Sequence, residues 1–279
     1  MTPPYKPFLR SISMLKLLLI LAIVYLFAIR CRSGHPGLKD LQGWSYAPRG
    51  LHSEGIPENS MAAFKAALDH GYGIELDVHL LKDGNLAVIH DSLLNRTTGQ
   101  PGHIEDLTTV QLKDYRLEGT AETIPEFMDV LTLFAGQAPL IVELKPENGN
   151  HAALAEAACN MLASYNGPYC LESFDPRCIT WLKKNRPNLI RGLLAYRYVG
   201  TRSELPDYLK FLLTHNMLNF TCLPDFIAYR YCDRQKTVSN DLCRKLWKLQ
   251  GVTWTLKTQQ EYDTAVKEGW LPIFEDFTP

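Results

Sequence analysis

The sequence lacks three features that would each point to a class of protein: an excess of charge of one sign, paired cysteines and a long unbroken apolar run. Its formal net charge is −1 over 279 residues, so nothing in the charge indicates a nucleic acid as partner. The 7 cysteines include no Cys-x-x-Cys pair and no metal-finger spacing. This favours buried or free thiols over a disulfide framework. Because six of them lie in the globular part, the sequence argues mildly against an oxidising compartment.

The longest apolar run lies near the N-terminus and is short for a membrane span. Leu17–Ile29 contains 13 residues, whereas a spanning helix needs about 20. Apolar residues before Lys16 extend the run to a marginal span if that lysine snorkels. A cleaved signal peptide is the alternative, but no small-x-small site follows the run. We therefore predict a single-pass membrane anchor over residues 1–32, of undetermined orientation because basic residues flank both ends. A linker over 33–43 and a globular domain over 44–279 follow.

Short apolar runs alternate with helix-like segments after Trp44, which is typical of βα units and a parallel sheet. We predict strands over Ser45–Ala47, Gly73–Val78, Leu140–Leu144, Tyr169–Phe174, Ile190–Ala195, Leu218–Cys222, Val252–Leu256 and Pro272–Phe274. We predict helices over Glu58–His70, Ile124–Phe134, His151–Tyr165, Pro176–Asn185, Glu204–His215, Ser239–Leu249 and Gln259–Glu268. The pattern predicts an α/β fold, a (β/α)8 TIM barrel with a small insertion after the second strand, from about Leu80 to Thr123.

Two of these runs carry groups suited to metal and acid–base chemistry. Glu75 and Asp77 stand two apart in a strand-like run, so both carboxylates point to the same face. His90 and Asp91 close a second apolar run. Two carboxylates beside a histidine indicate a hard divalent cation next to a proton-transferring group.

Five short motifs around these residues follow one another in a specific order. They are Arg49-Gly50, Pro57-Glu58-Asn59-Ser60, Glu75-Leu76-Asp77, Lys82-Asp83-Gly84 and His90-Asp91. This ordered set resembles the opening of the glycerophosphodiester phosphodiesterase family. The resemblance extends more weakly to the C-terminus and implies the same barrel fold. It implies hydrolysis of glycerophosphodiesters to glycerol 3-phosphate and an alcohol, with a small-molecule diester or a lipid head group as ligand.

The resemblance also implies roles for matching residues. Glu75, Asp77 and Glu143 match the family's metal ligands, and the ion is expected to be Ca²⁺ or Mg²⁺. Lys145 matches a lysine that contacts phosphate, and His90 matches one of two catalytic histidines. An ion-pair network among Glu75, Glu143, Lys145 and Arg49 is the alternative interpretation of the spacing.

Three further side chains are candidates from residue chemistry. Arg49 offers a planar fork for the non-bridging oxygens of a phosphodiester. Trp254 could contact the alcohol part of the substrate or simply belong to the core. Glu172 could add a metal ligand, orient a neighbouring group or form a salt bridge.

One position departs from the family pattern: Pro48 stands where the family has its first catalytic histidine. Proline has no ionisable group and no amide donor, and loss of one proton-transferring group typically costs about 10²- to 10⁴-fold in rate. His52 lies four residues further on. The motifs on either side of it fix the alignment with the family, which argues against His52 as a substitute for the missing histidine. The alternative function is therefore a catalytically impaired protein that binds a phosphodiester or lipid head group at a membrane.

Overall fold

Eight parallel strands close into a barrel in a computed structural model, which describes the backbone of residues 6–279 and the side chains from residue 14 onward. The strands are β1 (Tyr46–Pro48), β2 (Gly73–Leu80), β4 (Leu140–Leu144), β5 (Tyr169–Ser173), β6 (Arg191–Ala195), β7 (Phe226–Arg230), β8 (Gln250–Leu256) and β9 (Trp270–Phe274). A ninth strand, β3 (Leu86–Val88), pairs antiparallel with β2. The barrel closes because β1 pairs with both β2 and β9. This confirms the predicted barrel.

Helices connect most of the strands on the outside of the barrel. The helices are α1 (Lys6–Ala28), α2 (Leu38–Leu41), α3 (Met61–Asp69), α4 (Asn95–Thr98), α5 (Phe127–Phe134), α6 (His151–Leu162), α7 (Pro176–Asn185), α8 (Asp207–Thr214), α9 (Asn219–Cys222), α10 (Val238–Leu246) and α11 (Gln259–Lys267). The local sequence determines where several of these helices begin. The Ser60 side chain accepts a hydrogen bond from the amide of Ala63, and Asp175 caps α7 ahead of a proline in its first turn.

Two separate apolar cores follow from the alternation of side chains along each strand. One fills the barrel and includes Tyr46, Ile141, Phe226 and Val252. The other lies between the strands and the helices. Charged side chains at the inward positions of β2 and β4 therefore lie at the mouth of a filled barrel.

One strand prediction is wrong. The segment Leu218–Cys222 forms the short helix α9, and the sixth parallel strand of the barrel is Phe226–Arg230 instead. A short apolar run does not distinguish a strand from a buried helical turn by periodicity alone. The side-chain amide of Asn219 is buried and contacts the carbonyl oxygen of Ile29, 3.4 Å away, which is a tertiary contact.

The insertion after β2 is a small subdomain with its own apolar cluster. It contains β3, α4 and 3-10 turns at Ile104–Asp106 and Thr109–Asp114. Its cluster includes Leu94, Ile104 and Leu112. The subdomain stands beside the C-terminal end of β2 and brings His90 to the barrel mouth.

The N-terminal segment does not confirm the predicted anchor. Among the described residues, no helix combines the length and apolar character needed to cross a bilayer, so the predicted transmembrane helix is not confirmed. The predicted segment 1–32 also includes residues 1–5 and the side chains of 6–13, which lie outside the described part of the chain. Ile29 and Leu41 are buried, and Arg32 forms an ion pair with Asp225, so residues 29–41 pack against the barrel. The predicted boundary at residue 44 stays a prediction.

Candidate active site

Neighbouring strands bring four carboxylates to the barrel mouth. Asp77 of β2 is in register with Glu143 of β4, which is in register with Glu172 of β5. Glu75 lies two positions before Asp77 and points to the same side. All four side chains are buried. One oxygen of Glu75, of Asp77 and of Glu143 can be chosen such that all three lie within 4.8 Å of one another.

This set of donors fits a hard divalent cation. Oxygen ligands from several carboxylates are what Ca²⁺ and Mg²⁺ prefer, and three buried carboxylates could bind such an ion. Burial, together with the charges of Asp77 and Glu143, raises the pKa of Glu75 well above its usual range. Burial likewise raises the pKa of Glu143 to about 7. The ionised carboxylates therefore repel one another, and a nearby positive charge or protonation must offset this repulsion.

Lys145 supplies one positive charge inside the cluster. Its Nζ lies 3.1 Å from Oδ1 of Asp77 and 2.8 Å from Oε1 of Glu143. Burial would lower the pKa of Lys145, but these carboxylates raise it above its usual range, so the amine stays protonated. The predicted ion-pair alternative and the predicted phosphate contact are therefore compatible in geometry, because one ammonium group can serve both.

Asp77 is the carboxylate held most firmly in its ionised form. Burial opposes ionisation, but the charges of Lys145, His90 and Arg49 and a hydrogen bond from Asn59 lower the pKa of Asp77. The Asn59 amide donates to Oδ2 of Asp77 at 2.9 Å. Arg49 Nε lies 3.8 Å from the same oxygen. Asp77 is thus an anion at neutral pH with its position fixed from two sides.

The Arg49 backbone is held in an unfavourable conformation. Its φ is 54°, and that of Asn59 is 50°, a region costly for residues other than glycine. The Arg49 amide donates to the carbonyl of Glu75 at 2.7 Å, and the Asn59 amide donates to the carbonyl of Arg49 at 2.8 Å. Gly50 follows with a φ of 79°, where a Cβ would meet the backbone carbon of Ala63 at 2.8 Å. These contacts aim the guanidinium at the mouth of the barrel.

His90 extends from the insertion toward the same mouth. Its Nδ1 lies 2.6 Å from Oδ1 of Asp91. Burial lowers the pKa of His90, and the charges of Lys145 and Arg49 lower it too, whereas Asp77 opposes them. With Nδ1–H donating to Asp91, the free Nε2 of the neutral ring can accept a proton.

A second layer of ion pairs supports Arg49 and His90, and sequence reasoning gave its members no chemical role. Glu58 accepts two hydrogen bonds from Arg96, at 2.9 Å and 2.7 Å, and one from Arg49 at 2.9 Å. Arg96 also donates to Asp91. Glu58 could have been identified from the Pro57-Glu58-Asn59 motif, because a charged residue within such a motif is a candidate for positioning its neighbours.

A small cavity of about 120 Å³ lies inside this ring of groups. Pro48, Trp254 and Glu172 line it together with the acidic cluster. Among the described residues, neither carboxylate oxygen of Glu172 has a hydrogen-bond partner. The Trp254 indole donates to the carbonyl of Ala228 at 3.1 Å, which fixes the ring edge-on to Phe174 with centroids 5.7 Å apart. Trp254 is therefore both packed and in contact with the cavity.

His52 does not line this small cavity. Its Nε2 lies 3.4 Å from Oε1 of Glu275, at the end of β9. The contact with His52 is the main reason that the pKa of Glu275 falls to about 2. Glu275 itself does line the cavity beside Pro48. It went unnoticed in the sequence, although its place directly after a strand is the position that barrel enzymes use.

The structure brings all seven predicted site residues to one end of the barrel. Six of them line the small cavity, namely Arg49, Glu75, Asp77, His90, Glu143 and Trp254. The seventh, Lys145, contacts Asp77 and Glu143 and lines a larger neighbouring cavity of about 1180 Å³. Their chemical roles stay predictions.

The comparisons with known proteins all find glycerophosphodiester phosphodiesterases. The model of the glycerophosphoryl diester phosphodiesterase family matches residues 49–278. A glycerophosphodiester phosphodiesterase of Caldanaerobacter subterraneus is 34% identical over 152 residues, 51% of this chain and 63% of that protein. Glycerophosphodiester phosphodiesterase 1 of Rattus norvegicus is 28% identical over 268 residues, 81% of this chain and 77% of that protein. The chain thus spans less than two thirds of the first of these relatives.

Solved structures share the fold. A phosphodiesterase of Oleispira antarctica, in complex with its product sn-glycerol-3-phosphate, superposes with a TM-score of 0.66 at 22% identity. The match covers 83% of this chain and 92% of that one.

Proposed function

This chain belongs to the glycerophosphoryl diester phosphodiesterase family, and on that premise we propose that it is a metal-dependent phosphoric diester hydrolase. It would convert a glycerophosphodiester and water into glycerol 3-phosphate and an alcohol. Water supplies the oxygen of the new P–O bond, the P–O bond to the alcohol breaks, and a proton goes to that alcohol. The observation that carries the proposal is the cluster of Glu75, Asp77 and Glu143 with Lys145 inside it and His90 beside it.

Glu75, Asp77 and Glu143 would hold Ca²⁺ or Mg²⁺, which when bound neutralises part of the charge of the phosphate. Arg49 would take two non-bridging oxygens in its fork. Lys145 would add a point charge on the other side of Asp77. Because the carboxylates of the site are buried, solvent would screen these fixed charges only weakly, and they would favour the charge that develops in the transition state.

His90 would transfer the proton. Its neutral ring, oriented by Asp91, would accept at Nε2 a proton from the attacking water. Because Pro48 has no proton to give, the leaving alcohol takes its proton from solvent water. We therefore expect slower turnover than a two-histidine site would support, by about 10²- to 10⁴-fold.

The test is release of glycerol 3-phosphate by the full chain in the presence of Mg²⁺ or Ca²⁺. Wild type is compared with His90→Ala and Pro48→His, and metal removal by a chelator is a further arm. We expect measurable turnover that disappears in His90→Ala and without metal, and that rises in Pro48→His. Turnover that is unchanged in His90→Ala would contradict the assigned role.

A binding protein is the second candidate, and Pro48 is the observation that favours it. The acidic cluster, Arg49 and Lys145 are sufficient for phosphodiester binding without proton transfer. Absence of wild-type turnover together with its appearance in Pro48→His would support this second candidate.

We also propose that α1 attaches the protein to a membrane. Leu17, Leu18, Leu19 and Ile20 each expose more than half of their surface, which is unusual for apolar side chains in water. Co-sedimentation of the full chain with phosphatidylcholine vesicles tests this, with Leu19→Glu/Ile20→Glu as the matched variant. Equal recovery of both proteins in the supernatant would refute it.

A further inference from the structure

The candidate site opens into two cavities of very different size. The small one, about 120 Å³, reaches toward β1, β8 and β9. The large one, about 1180 Å³, extends over the loops that follow β4, β5 and β6. His90, Glu143 and Phe174 line both. The small cavity contains the acidic cluster itself, so a phosphate held there would leave room beside it only for a compact group, whereas the large cavity opens on its other side.

The far wall of the large cavity is apolar. The loops after β5 and β6 and the helix α8 supply its apolar side chains, which are Phe174, Tyr196, Tyr198, Leu205, Leu209 and Leu213. The rings of Tyr196 and Tyr198 stack with centroids 3.9 Å apart, and Phe174 meets Tyr196 edge-on at 6.0 Å. Such a wall is preformed and binds apolar rather than charged groups.

The volume also exceeds what a small polar alcohol requires. Pockets for drug-sized ligands measure roughly 300–1,000 Å³, and this cavity is larger than that range. A head group of a few heavy atoms would contact the charged rim at His90 and Lys145 and leave the leucines of α8 facing water. The cavity is continuous with the candidate site, so its natural occupant is part of the substrate itself.

The small cavity limits the other half of the substrate. It has a polar lining near Glu172, whose carboxylate oxygens have no partner among the described residues. Free hydroxyl groups can donate to those oxygens, whereas a long chain cannot enter about 120 Å³. The unsubstituted glycerol, which is the more compact half of the substrate, therefore belongs on this side.

We propose that the preferred substrate is a glycerophosphodiester whose alcohol carries a long alkyl or acyl chain, and that the chain binds along Leu205, Leu209 and Leu213. This inference rests on the proposed hydrolase function. It assigns the chain to the leaving alcohol rather than to the glycerol. The products would be glycerol 3-phosphate and a long-chain alcohol.

The test uses glycerophosphodiesters of ethanol, hexanol and dodecanol with the full chain and Mg²⁺, each below its critical micelle concentration. Burial of one methylene group is worth about fourfold. We therefore expect kcat/KM to rise by at least about tenfold from ethanol to dodecanol. Leu209→Asn should remove this preference. Phe211→Asn is the matched control on α8, because Phe211 is exposed and does not line the cavity.

A binding measurement separates this inference from the proposed function. Dodecyl phosphate and ethyl phosphate are titrated into each protein, whose fold is checked by circular dichroism, and Leu205→Asn serves as a second wall variant. Tighter binding of dodecyl phosphate that is lost in the wall variants but kept in Phe211→Asn supports the chain site, even if no diester is hydrolysed. Turnover that does not depend on alcohol length would overturn the chain site and leave the hydrolase function standing. Preference for 1-lauroyl-lysophosphatidylcholine, which carries its chain on glycerol, would overturn the assigned orientation.

Discussion

Replacement of Lys145 by methionine tests whether the acidic cluster needs a cation. The side chain is largely buried, and its Nζ contacts Asp77 at 3.1 Å and Glu143 at 2.8 Å. Methionine keeps much of the volume of the lysine side chain and removes its positive charge. The variant would leave three buried carboxylates facing one another with Arg49 as the nearest positive charge.

The expected cost follows from the loss of one partner in a buried ion pair, which is about 3–5 kcal/mol. For a chain of this size, each kcal/mol lowers Tm by about 2–4 °C, so Tm should fall by about 6–20 °C. Lys65→Met is the matched control, because Lys65 pairs with Asp69 on an exposed helix surface. That pair should contribute at most about 0.5 kcal/mol.

The assay is urea unfolding of both variants and wild type in a chelator and again with Mg²⁺ or Ca²⁺. A bound cation replaces the missing ammonium charge, so the metal should stabilise Lys145→Met more than wild type. A ligand at 100 times its Kd adds about 2.7 kcal/mol. A Lys145→Met protein as stable as Lys65→Met in the chelator would refute the reasoning. So would an equal effect of metal on all three proteins.

Four more outcomes follow from particular contacts. Metal affinity should weaken by about tenfold per pH unit below pH 7, because burial raises the pKa of Glu143 to about 7 and its proton must leave before metal binds; calorimetric titration measures this, and a pH-independent affinity would contradict it. By the same raised pKa, this group makes the metal-free protein less stable as pH rises from about 4.5 to 7, since only the unfolded carboxyl is then ionised. Ser60→Ala should cost about 1 kcal/mol in urea unfolding, because the cap of α3 is lost, and an unchanged midpoint would count against the cap. Gly192→Ala should destabilise by about 1–3 kcal/mol or more, because a Cβ would stand 2.1 Å from the ring of Phe226; Phe226→Leu should recover part of this loss in a double-mutant cycle.

The strands and helices that the sequence predicts well are those whose flanking residues carry strong local signals. Leu140–Leu144 agrees at both ends, and Pro176–Asn185 agrees as a helix because Asp175 and Pro176 mark its start. The segment 218–222 fails because its local pattern suits either a strand or a helical turn. Packing against Ile29, 190 residues away in the chain, accompanies the helical turn at Asn219, and no local pattern contains that contact.

Seven of the eight barrel strands and the acidic cluster can be predicted from the sequence alone. Strand alternation points Glu75 and Asp77 to one face, and parallel strands end at one edge, so Glu143 had to join them. Three other features became visible only in the folded chain: the contact of Glu58 with both Arg49 and Arg96, the contact of His52 with Glu275, and the position of α8 beside the large cavity. These features depend on how loops cross between strands, and loop paths are set by packing among distant residues rather than by local periodicity.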